Sequence, residues 1–333
     1  MIPLSVLDLS PITEGSDAGR SLRNSADLAR HVEALGYKRF WMAEHHSMPG
    51  IASAATAVAL AFVGSQTSTI RIGAGGIMLP NHAPLIIAEQ FGTLESLYPG
   101  RVDLGLGRAP GTDQAAAYAM RRNLTSDANQ FPSDVVELAR YFAGDNGRVR
   151  AIPGEGLDIP LWILGSSLFG AELAAMLGLP YAFASHFAPQ MMAEAIALYR
   201  ERFKPSAQLG EPYVMLGFNA IVADTDEEAE LLATSVQQAF VALRSGKAMK
   251  LPPPKSGYAD ELPMEARAIL RSMLSASAIG SPETARRQLD EFVDRTKPDE
   301  LIVTAQVYDH QARLRSYELL METVRRPEAA EVS

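Results

Sequence analysis

The stretch Trp41-Met42-Ala43-Glu44-His45-His46 sets three titratable groups at the end of a short, largely apolar run. If residues 37–44 form a strand of a closed parallel barrel, the two histidines stand at its carboxyl end, the face on which such barrels carry their chemistry. Whether the barrel exists depends on what flanks this strand.

Outward from it, short apolar runs alternate with helical patterns. Strands are expected over 4–9, 37–43, 70–79, 101–109, 160–164, 181–185, 213–223 and 301–307, each bounded by Gly, Pro or polar turn residues. Residues 21–35 repeat Leu22, Ala26, Ala29, Val32 and Leu35 at helical spacing and stop at Gly36. Further helices are expected over 52–65, from Pro84 to the Tyr98-Pro99-Gly100 stop, and over 132–142, 168–177, 189–203 and 227–243. Others start near 265, span 282–295, and run from about 311 to 325. Eight strands alternating with helices predict an α/β fold, a (β/α)8 TIM barrel with insertions at 111–129 and 149–158. The competing arrangement, an open doubly wound sheet, lacks its Gly-x-Gly-x-x-Gly after the first strand. The chain reads as a single domain over 1–326 with a tail at 327–333. Its one long irregular segment, about 247–263 with Pro252, Pro253 and Pro254, has the character of a lid.

Composition removes several function classes. The net charge of −9 argues against nucleic acid, whose binding rests on clustered Lys and Arg. The absence of cysteine excludes disulfides, thiolate nucleophiles and thiolate metal sites, and fits a reducing cytoplasm. The amino terminus carries Asp8 within its apolar run and does not read as a signal peptide. Residues 51–64 are too few and too rich in Ala to span a membrane, and read as a buried helix.

Polar residues collect at predicted strand ends: His45, His46, His82, His186 and His310, with Asp8, Glu44, Asn81, Arg108, Ser166 and Ser167. In a barrel these ends share one face. Neighbours on a strand point to opposite faces, so at most one of His45 and His46 faces the mouth, and Glu44 shares the parity of His46. That weakens a metal reading and leaves two others: a pair of hydrogen-bonded polar residues, or acid/base work, for which an imidazole with an ordinary pKa of about 6.5 is suited. No metal ligands are assigned. Arg108 follows two glycines, as if the backbone were thinned for a ligand. Ser166 and Ser167 precede a helix start, a natural anion site.

With AEHH (43–46), GAGGIMLPNHAPLIIAEQ (73–90), YPGRVDLGLGRAPG (98–111) and LGSS (164–167), the chain closely resembles the bacterial luciferase-like flavin monooxygenases. The similarity runs from the amino terminus to DHQARLRSYELL (309–320). It implies a cytoplasmic homodimeric (β/α)8 barrel that takes reduced FMN from a separate NAD(P)H-dependent flavin reductase. With dioxygen it would oxygenate a small organic substrate. On this likeness His45, with Glu44 beside it, handles protons. Arg108 and Ser167 hold the flavin phosphate, and Gly75-Gly76 is a non-prolyl cis peptide against the ring; Pro110, Gly165 and Ser166 complete the cofactor contacts. Two departures stand out: Ser166 replaces an acidic residue of the light-emitting subunits, and their reactive cysteine is absent. Some relatives use a deazaflavin and transfer hydride without oxygen. A non-catalytic flavin-binding protein, or a metal-dependent hydrolase built on His45, His46, His186 and His310, are the remaining readings.

Overall fold

The computed structural model describes residues 2–109, 119–120 and 130–325. Among them nine strands form one parallel sheet: β1 (Leu4–Asp8), β2 (Arg39–Met42), β3 (Arg71–Met78), β4 (Val102–Gly107), β5 (Leu161–Gly165), β6 (Tyr181–Phe183), β7 (Val214–Val222), β8 (Ser277–Gly280) and β9 (Glu300–Thr304). Their order is β6-β5-β4-β3-β2-β1-β9-β7-β8, and β6 also pairs with β7. That pairing closes eight strands into a barrel, as the sequence predicts. The ninth, β8, hangs outside the ring on Asn219–Val222 of β7 and was not expected. Four residues with a Ser-Ala-Ile-Gly sequence give almost no period-2 signal.

Around the barrel lie α1 (Ala18–Ala34), α2 (Thr56–Gly64), α3 (Pro84–Leu97), α4 (Phe131–Ala143), α5 (Leu168–Leu177), α6 (Met192–Arg202), α7 (Asp226–Arg244), α8 (Tyr258–Glu261), α9 (Met264–Met273), α10 (Pro282–Thr296) and α11 (His310–Arg325). The second helix starts four residues later than predicted, at Thr56 rather than 52. The segment expected to be irregular contains the single turn α8. The expected insertion at 111–129, apart from residues 119–120, and the tail at 327–333 lie outside the described residues. Among the described residues no helix is long and apolar enough to cross a membrane.

Strand parity divides the core in two. Leu4 and Val6 of β1, Phe40 and Met42 of β2, and Leu301 and Val303 of β9 face outward and pack under the helices. Leu7, Trp41, Trp162, Ala182, Met215 and Ile302 fill the barrel interior, with Trp41 and Trp162 edge to face at 5.1 Å between ring centroids. Where β3 crosses β4 only glycine fits: a Cβ on Gly105 would lie 2.2 Å from the Ala74 carbonyl oxygen, and one on Gly76 2.8 Å from that of Gly105. The register slips between Ala74 and Ile77 there, and the Gly75–Gly76 peptide is cis.

The amino-terminal end of the barrel is plugged by charge. Arg39 donates to Asp103 and to Glu300, each at 2.8 Å. Arg71 reaches Asp103 at 2.6 Å, while Tyr213 and Lys38 donate to the other Glu300 oxygen at 2.7 and 3.1 Å. Burial alone would raise the Glu300 carboxyl pKa. Arg39 foremost, then Lys38 and the Ser5 hydroxyl, outweigh it and hold the carboxyl below its ordinary value. A depressed carboxyl contributes stability above its unfolded pKa of about 4.3, and the contribution fades as pH falls through the folded value. Glu300→Gln should therefore lower stability by about 3 kcal/mol at neutral pH, since it leaves Arg39 buried and underpaired. The gap from wild type should narrow in acid. Urea unfolding of both proteins at neutral and acidic pH measures this; a pH-independent gap would contradict it.

Candidate active site

At the carboxyl ends of the strands a cavity of about 700 Å³ opens into the barrel. His45 lines it from the end of β2, Gly75 and Gly76 from β3, Gly107 and Arg108 from β4, and Gly165, Ser166 and Ser167 from β5. Residues more than a hundred positions apart in sequence therefore border one space, because parallel strands bring all their ends to one rim. His45 shares the inward parity of Trp41 and Ala43.

Glu44 does not line the cavity. Its parity is the outward one, and it is 1% exposed, wedged behind the strand ends. One carboxylate oxygen meets Nε2 of His46 at 2.6 Å and Nε2 of His82 at 2.8 Å; the other accepts the Met78 N–H at 3.0 Å. Burial would raise this carboxyl, but the hydrogen bonds from His82, His46 and Met78 win and lower it. The expected catalytic partner of His45 is thus an anchor that ties the end of β2 to the end of β3. The donor atoms of Glu44, His46 and His82 lie within 4.8 Å of one another, a set that could hold an ion. Two ligands on a tetrahedral zinc would stand roughly 3.3 Å apart, from metal–ligand lengths of about 2.05 Å. The 2.6 and 2.8 Å separations are those of direct hydrogen bonds.

Arg108 and the α5 terminus form the cationic side of the cavity. The Arg108 guanidinium stacks 4.4 Å from the Phe169 ring centroid, and it has no carboxylate partner among the described residues. Ser167 is the N-cap of α5, yet its side chain makes no capping bond and no acidic residue occupies the first turn. Free N–H groups, an uncommitted hydroxyl and a guanidinium together form a set of donors for a phosphate. Pro110, expected beside them, lies outside the described residues.

The family pattern of the luciferase-like monooxygenases matches residues 2–297. A luciferase-like monooxygenase of Escherichia coli is 52% identical over 323 residues, covering 96% of each chain. The chain belongs to the luciferase-like monooxygenase family. It is accordingly a flavin-dependent, monooxygenase-type oxidoreductase. The N-acetyl-S-alkylcysteine monooxygenase of Bacillus subtilis is 29% identical, over 97% of this chain and 98% of its own. Among solved structures, apo-MsnO8 superposes with a TM-score of 0.86 at 34% identity, covering 97% of this chain and 98% of that one.

The strand-end histidines do not converge as a group. His45 and His186 line the cavity, His46 and His82 hold Glu44, and His310 sits 3.0 Å from Asp27 outside it. This separation removes the four-histidine hydrolase arrangement. Asp8 turns outward to a buried ion pair with Arg313 at 2.7 Å. Sequence reasoning passed over Asn219 of β7 and the apolar wall of Phe187, Phe240, Met249 and Met273. The inward parity of Asn219, shared with Met215 and Gly217, was the signal available for it.

Proposed function

We propose that the protein binds reduced FMN in the barrel-mouth cavity and uses dioxygen to oxygenate a small organic substrate. The reduced flavin would come from a separate NAD(P)H-dependent flavin reductase. One observation carries this reading: His45, Gly75, Gly76, Arg108, Ser166 and Ser167 line the same cavity. Bound reduced FMN supplies the electrons that activate oxygen. Arg108, the two serine hydroxyls and the α5 N–H groups hold the phosphate. The glycine pair offers flat backbone to the ring. His45 gives and takes a proton at an imidazole nitrogen, and Glu44 keeps its strand end in place. Phe131, Leu164, Phe169 and Phe240 keep water away.

We read residues 247–263 as a lid on a single domain spanning 1–326. Ala248, Met249 and Leu251 face the cavity, and Leu251 exchanges backbone hydrogen bonds with Ile12 and Glu14, each at 2.9 Å. A homodimer in the cytoplasm completes the proposal. Its support is family likeness and the exposed apolar residues Val58 (73%), Phe62 (42%) and Ile86 (45%) on the adjoining helices α2 and α3. Oxygen uptake by chemically reduced FMN, with and without protein, tests the function, beside titrations with FMN, FAD and a deazaflavin. The proposal expects FMN to bind and oxygen uptake to change with protein present. Binding with unaltered oxygen uptake would leave a non-catalytic flavin carrier, and preference for the deazaflavin would indicate hydride transfer.

A further inference from the structure

His186 is a half-buried titratable group to which the function proposed above assigns no task. It follows β6, and the Nδ1 edge of its ring is turned to β7: a Cβ built on Gly217 would stand 2.1 Å from Nδ1 and 3.0 Å from Cε1. Only glycine at 217 leaves room for it. The backbone around it is clamped, since Asn219 Nδ2 donates to the His186 carbonyl at 2.9 Å and Ser185 Oγ to the Gly217 carbonyl at 2.7 Å. Nδ1 is buried with no hydrogen-bond partner. Burial first, and neighbouring His45 second, push the imidazole down to about 4, so it is uncharged at neutral pH.

An uncharged imidazole carries one N–H. A stranded N–H is rarer in protein interiors than a stranded acceptor, so the buried Nδ1 takes the lone pair and Nε2 the proton. Nε2 forms no hydrogen bond among the described residues, and His186 lines the cavity. Beside it the wall is apolar: Phe187 and Phe240 meet edge to face at 5.8 Å, with Leu243, Met249 and Met273 around them. Among the described lining residues there is no Asp, Glu or Lys, and Arg108 is the only permanent charge. A charged substrate would lose its hydration against this wall; the Arg244 guanidinium, 5.1 Å from each of the two ring centroids, is exposed and does not line the cavity.

We propose that His186 donates a hydrogen bond from Nε2 to an acceptor oxygen of the substrate, and that the substrate is an uncharged, mainly apolar molecule carrying that oxygen. The inference rests on the reading that flavin and substrate share this cavity. It assigns His186 a positioning role distinct from the proton transfer given to His45.

The test uses the FMN-loaded protein and two probes of equal length, 2-nonanone and sodium nonanoate, at neutral pH. Wild type should bind the ketone, and the carboxylate at least about tenfold more weakly. His186→Phe keeps a ring but loses the donor, and should weaken ketone binding about fivefold to tenfold, the effect of one hydrogen bond. His186→Gln places an amide N–H near the Nε2 position and should restore it to within about twofold, a rescue that a purely structural role would not give. FMN affinity, measured separately, should be the same in all three proteins. Equal ketone binding by wild type and His186→Phe, failure of the Gln rescue, nonanoate binding as tightly as the ketone, or no ketone binding by wild type would each overturn the proposal. If wild type does not bind FMN, the flavin reading fails by itself, and the same titrations on the FMN-free protein still decide His186.

Discussion

His45→Ala should slow oxygen-dependent turnover by about 10² to 10⁴, or roughly 3 to 5 kcal/mol of barrier, the usual worth of a positioned general acid/base. The size follows from its place. His45 stands at the inward end of β2, in the cavity that holds the glycine pair and Arg108. Stopped-flow mixing of protein-bound reduced flavin with oxygenated buffer reads the effect without knowledge of the substrate. Matching rates and matching pH profiles in wild type and variant would remove His45 from proton transfer. His46→Ala provides the contrast: that ring hydrogen-bonds Glu44 behind the strand ends and should act on stability more than on the flavin reaction.

Arg108→Met should weaken FMN binding by about tenfold or somewhat more. A charge-assisted hydrogen bond is worth roughly 1.5 to 3 kcal/mol, and each 1.4 kcal/mol is a factor of ten. The lower end applies because the guanidinium is exposed and therefore screened by solvent and salt. Riboflavin, which lacks the phosphate, separates charge recognition from ring packing. Its affinity should be nearly the same in variant and wild type, and the FMN preference should shrink as salt is added. A fluorescence-quenching titration in which the variant loses both ligands equally would place Arg108 against the ring instead.

The barrel was legible because each of its eight strands is an apolar run fenced by glycine, proline or a capped helix, and such fences survive in the sequence whatever the tertiary contacts. That distant residues border one cavity was legible for a related reason: once strands are parallel and closed, a strand-end position is a rim position. What parity decides was less well used. Alternation along Trp41-Met42-Ala43-Glu44-His45 already turns Glu44 away from the mouth, yet its place beside His45 made it look like a catalytic partner. The charged plug of Arg39, Asp103 and Glu300 could not be read at all. Its members come from three distant strands, and nothing local marks Asp103, set among valine, leucine and glycine, as the partner of an arginine sixty-four residues earlier. The strand β8 was lost because its one strand partner is the far end of β7, a tertiary pairing with no short-range signature. His186 was visible only as one more strand-end histidine; its character comes from Gly217 across the next strand.

A crystal structure of the FMN complex tests the central claim most directly. The account predicts the phosphate between Arg108 and the amino terminus of α5, within hydrogen-bond reach of Ser166 or Ser167, and the ring system against Gly75–Gly76 with His45 at its edge. Flavin bound elsewhere, or a phosphate without Arg108 and the serines around it, would contradict the account.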